Sequence, residues 1–111
     1  MNKLLPVEVI RDEDGFFYHP TYSLLLDELL QEKEYPTQEE WDTFKKELNI
    51  ETHCVWLEDD ADRNVVDRYF DGYPEACKEW NPSKPLEEGD WFIVSIHDTE
   101  DGAVCLWVKN L

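Results

Sequence analysis

Three histidines and three cysteines are the residue types here best suited to metal binding or nucleophilic chemistry: His19, His53, His97, Cys54, Cys77 and Cys105. None of the histidines falls in an H-E-x-x-H pattern, which would stack two imidazoles on one helix face. His53 and Cys54 are adjacent, and in a strand adjacent side chains point to opposite faces, so they do not form a local ligand pair. The cysteines read as small buried hydrophobes rather than ligands. Asp12, Asp14 and Gly15 match only part of a calcium loop, because the bidentate Glu that closes such a loop is absent at its spacing. Asp59, Asp60 and Asp62 lack its central glycine. A turn and a helix cap account for both runs, so no metal and no cofactor is implied.

Ser95 and His97 lie two apart on one apolar run, with Asp98 next. Acyl transfer by such a trio needs an exposed nucleophile and oxyanion donors, and no G-x-S-x-G turn supplies them. Paired carboxylates can hydrolyse glycosides, yet in a chain with 27 acids some pair always lies close. Phosphate-binding glycine patterns are absent. A small hydrolase or metal-dependent enzyme is therefore the weaker alternative, and a noncatalytic protein the stronger one.

The elements that would carry these residues follow from periodicity. Val7–Ile10 alternates like a short strand, Arg11–Gly15 supplies a turn, and Phe16–Tyr18 returns as a hairpin partner that Pro20 ends. Tyr22, Leu25, Leu26, Leu29 and Leu30 form a helical stripe. Thr37 and Glu40 match a capping box, with Pro36 and Trp41 at the staple positions and Asn49 as a stop. His53–Leu57 reads as a strand and Ala61–Phe70 as a third helix closed by Gly72. A short helix over Glu75–Trp80 follows. Trp91–His97 and Ala103–Lys109 form a C-terminal hairpin. Pairing Ile96 with Val104 puts Phe92, Val94, Ile96, Val104, Leu106 and Val108 on one face. The other face, with Trp91, Ile93, Ser95, His97, Ala103, Cys105 and Trp107, is too apolar to be wholly wet. It is partly covered by helix or forms a contact surface. The expected fold is a single α+β domain over residues 1–111, a small mostly antiparallel sheet with three or four helices packed on one face.

Charge then narrows the function classes. The 111-residue chain has a formal net charge of -17, against roughly 2 to 8 in magnitude for a typical small domain. Such a field opposes compaction and repels phosphate backbones and anionic membranes, so direct nucleic-acid and membrane partners are not expected. The start, Met1–Pro6, is too short to be a secretory h-region, and the odd cysteine count does not read as a disulfide framework. Reduced cytoplasm is the expected compartment. The acids cluster at Glu8–Asp14, Glu58–Asp71 and Glu87–Asp101. Solvated faces are the plain account of such runs. The sharper one is a small protein-interaction or regulatory protein that binds a basic protein surface or a second copy of itself. Trp56, Trp91 and Trp107, with Trp80, are the expected anchors, beside Asp59, Asp60, Asp98, Glu100 and Asp101. Each indole can instead complete the core. A DNA-mimic inhibitor, with carboxylates spaced like duplex phosphates, is the further alternative. If the apolar faces outweigh the carboxylate repulsion, the isolated chain melts cooperatively at neutral pH in ordinary salt. A gradual melt with fast exchange at every amide would refute this.

Overall fold

The computed structural model describes residues 4–111. Met1–Lys3, the start of the stretch read above against a leader peptide, lies outside them. The elements are β1 (Phe17–Tyr18), α1 (Pro20–Leu30), α2 (Gln38–Leu48), β2 (Ile50–Trp56), α3 (Leu57–Asp60), α4 (Arg63–Phe70), a 3-10 helix (Pro74–Glu79), β3 (Phe92–Thr99) and β4 (Gly102–Asn110). The four strands form one antiparallel sheet in the order β1-β3-β4-β2. The protein is thus α+β, as its sequence reads. Among the described residues no helix is long and apolar enough to cross a membrane.

The strand order places the helices. β1 and β2 are opposite edges, so the chain between them must traverse the sheet, and it does so as α1 and α2. The chain then returns from β2 to β3 as α3, α4 and the 3-10 helix. Tyr22, Phe44 and Leu48 pack with Phe92, Val94, Leu106 and Val108 on one face. Leu57, Val65, Tyr69, Cys77 and Trp80 pack with Ile96, Ala103 and Cys105 on the other. The helices therefore cover both faces, two on one and three on the other, rather than only one.

A β-bulge decides which side chains each layer receives. Ile93 pairs with Trp107 but Ser95 pairs with Leu106, so Val94 is an extra residue in β3. Beyond it the alternation inverts, and Ile96 opposes Cys105 instead of Val104. This corrects the continuous six-residue apolar row: Ile96 turns to the α4 side, while Ser95 and His97 turn to the α1–α2 side. Both faces of the hairpin then need cover.

Local signals explain the helix ends. In α2 the Glu40 amide donates to Thr37 Oγ1 at 3.1 Å and the Thr37 amide donates to Glu40 Oε1 at 2.9 Å, which completes the capping box. Asn49 ends α2 in the left-handed region at φ 56°. Pro20, just past the end of β1, is the first residue of α1. His19 caps it: Nδ1 accepts the Tyr22 amide at 3.2 Å, so Nε2 carries the proton donated to the Leu5 carbonyl at 2.7 Å. Val7–Ile10 is irregular and exposed, not a strand. The hairpin expected with Phe16–Tyr18 is replaced by β1 pairing with Ile96 and Ser95.

Arg11 ties this segment down. Its guanidinium donates to the carbonyls of Gly15 at 2.7 Å, Trp80 at 2.5 Å and Cys77 at 2.6 Å. Gly15 has φ 89°, and a Cβ there would sit 2.5 Å from Lys78 Cα, so the turn touches the 3-10 helix where only glycine fits. A lysine ammonium cannot span these carbonyls. Arg11→Lys is expected to lower unfolding free energy by about 2 kcal/mol in urea denaturation, and an unchanged midpoint would contradict the clamp.

Candidate functional site

The tip of the β3–β4 hairpin is a two-residue turn, Glu100–Asp101, between paired Thr99 and Gly102. Thr99 Oγ1 accepts the Asp101 amide at 3.1 Å and donates to the Gly102 carbonyl at 2.8 Å. Gly102 has φ 119°, and a Cβ on it would lie 3.2 Å from Phe70 Cζ, so the tip is seated against the end of α4. On its other side the tip faces the α1–α2 connection. Between them lies a groove of about 550 Å³. Tyr22, Leu26, Leu30, Tyr35, Pro36 and Trp41 form its apolar walls, with Glu34, Asp98 and Glu100 also in the lining. Among the described residues no Lys or Arg lines it. Lys33, next to it in sequence, is held by Glu40 through both carboxylate oxygens. Tyr35 is 68% exposed, so a partner can reach its ring.

The serine, histidine and aspartate of β3 are not aligned. Ser95 Oγ lies 3.2 Å from His97 Nδ1 on the groove side, but Ser95 is only 2% exposed. His97 lines the groove and stacks against Tyr18, with ring centroids 6.2 Å apart. Burial lowers the His97 pKa and the nearby Asp98 charge opposes that shift, so the ring favours its neutral form. Asp98 accepts a hydrogen bond from the Tyr69 hydroxyl of α4. Burial, followed by that bond, raises the Tyr69 pKa. Strand alternation separates the aspartate from the adjacent histidine, and the bulge sets which face each one takes.

Cys77 and Cys105 are buried as read, whereas Cys54 is exposed. Partial desolvation raises the Cys54 thiol pKa, and burial raises that of Cys77 and pushes that of Cys105 up to about 12, away from the reactive thiolate form. Among the described residues no three His, Cys, Asp or Glu side chains are grouped to hold a metal.

The sequence-predicted residues divide by position. Asp98, Glu100 and Asp101 come together at the hairpin tip. Trp56 and His97 flank Val104 from the neighbouring strands, so half-buried Trp56 lies near the same end of the sheet. Asp59 follows on α3 and is exposed. Trp80 and Trp91, expected as exposed anchors, are instead buried, at 2% and 7% exposure. The Trp91 indole donates to the Glu87 carbonyl at 2.9 Å, and Lys109 lies 5.0 Å above its ring. Trp107 is half-buried against the α4-side core, and its indole N–H has no partner among the described residues. Sequence reading gave Glu34 and Tyr35 no functional role. It assigned Trp41 to a staple and to the apolar stripe shared with Phe44 and Leu48. An aromatic residue beside a proline in an acidic interhelix connection was the available signal.

Asp60 is structural. Its Oδ2 accepts the Trp80 indole N–H at 2.8 Å and the Ser83 amide at 2.9 Å. Partial burial alone would raise its pKa, but the bonds from Ser83 and Trp80 outweigh this and lower it. Comparison with known proteins found no matching family model, curated protein or solved structure.

Because the folded pKa of Asp60 is depressed, its charge stabilises the fold above the ordinary aspartate value of roughly 3.9. That contribution is lost as pH falls through the lower folded value. Asp60→Asn is expected to cost about 1 kcal/mol at neutral pH, with the gap from wild type closing in acid. A pH-independent gap in thermal or urea melts would contradict this role.

Proposed function

We propose that the protein is a small noncatalytic binding protein that engages a basic surface on another protein. One observation carries the reading: an apolar groove with three carboxylates and, among the described residues, no cation in its lining lies beside exposed aromatics at one end of the sheet. Ion pairs among the described residues engage Glu40, Asp42, Glu51, Asp67, Glu79 and Glu87, which leaves most of the 27 acids without a cationic partner. The surplus is a long-range anionic field, which accelerates encounter with a cationic partner and disfavours anionic ones. Apolar rings then supply the short-range affinity that charge alone does not.

The test is capture from native lysate at low and moderate salt, using wild type and a Glu100→Lys, Asp101→Lys variant. The expected result is a basic partner retained by wild type, weakened by salt and lost with the variant. Capture that is indifferent to both salt and variant would refute the proposal. Displacement of the partner by duplex DNA would transfer the reading to DNA mimicry.

A further inference from the structure

We propose that the groove between the α1–α2 connection and the β3–β4 tip receives an arginine side chain from an extended segment of the basic partner. The inference rests on the reading above and specifies its central contact.

Two properties of the groove select this occupant. Its walls are aliphatic and aromatic, with Leu30, Tyr35 and Trp41 available to an alkyl stem. Its carboxylates supply the complementary charge. Asp98 is already bonded to Tyr69, but among the described residues Glu34 and Glu100 belong to no ion pair. A side chain with an apolar stem and a charged head satisfies both regions, as long basic side chains do when their stems lie on apolar surface. Arginine fits better than lysine, because its planar group stacks on an exposed ring such as Tyr35 while donating to carboxylates. A purely apolar occupant would bury carboxylates without partners, which is costly. An anionic one would meet like charge. At about 550 Å³ the groove also has room for residues flanking the arginine.

The direct test is fluorescence anisotropy of the full chain at low salt. One labelled peptide alternates arginine with leucine, and a second replaces each arginine by its uncharged isostere citrulline. The arginine peptide is expected to bind about tenfold or more tightly than the citrulline peptide. Glu34→Gln with Glu100→Gln is expected to weaken the arginine peptide about fivefold to tenfold. Tyr35→Ser weakens both peptides. The distant pair Glu88→Gln with Asp90→Asn, beside Lys109 at the opposite end of the hairpin, changes either by less than about twofold. All these positions lie at the surface, and a cooperative melt confirms that each variant folds. Equal losses from the near and distant pairs would overturn the groove and leave only a general attraction to basic surfaces. Equal affinity for the two peptides, or no binding of either, would also overturn it. The lysate capture decides separately whether the basic-partner reading survives.

Discussion

The structure depends on burying the β3–β4 hairpin on both faces in a chain whose charges repel one another. Val94, Ile96, Cys105 and Val108 all have no exposed surface, yet they divide between the two faces. Each large apolar side chain fully buried contributes roughly 1.5–3 kcal/mol. A sheet covered on one side would forgo about half of this while retaining the repulsion of a -17 net charge. The order β1-β3-β4-β2 meets the requirement through connectivity, because each long connection crosses the sheet on a different side. Arg11 closes the layer on the α4 side by binding carbonyls rather than carboxylates.

The same arrangement leaves the exterior anionic and concentrates one feature at the hairpin tip. Several lysines and arginines are held in pairs such as Lys33–Glu40 and Arg68–Glu79. Lys109 bridges Glu51 and Glu87 at the other end of the hairpin. At the tip, α4 supports one side through Tyr69 and Phe70, and the α1–α2 connection forms the other wall. The groove is therefore a consequence of helices on both faces meeting a turn that projects between them. Its placement on a firm hairpin limits the ordering entropy that binding would cost.

How much of this was legible depends on whether the signal was local. The capping box of Thr37 and Glu40 and the Asn49 stop were readable because neighbours in sequence satisfy one another. The α+β class followed from clear periodicities. The bulge was not readable: Phe92, Ile93, Val94 and Ile96 are all apolar, so alternation does not reveal an inserted residue, and its parity decides which face His97 joins. Val7–Ile10 has strand-like residues but lacks the paired edge that would make it one. The groove was legible only in part. Asp98, Glu100 and Asp101 stood out as a charge run, whereas Glu34 and Tyr35 reach the same place only through tertiary packing. Trp91 and Trp107 looked like anchors because residue type does not report burial.

The central physical claim is that two apolar faces on one hairpin form a single cooperative core that overcomes the carboxylate repulsion. Native-state hydrogen exchange at neutral pH measures this residue by residue. The account predicts that the hydrogen-bonded amides of β3 and β4 exchange slowest, with one common opening free energy equal to that of global unfolding, and that added salt increases it. Amides of β4 exchanging as fast as those at the ends of α1, or an opening energy that falls with salt, would contradict it.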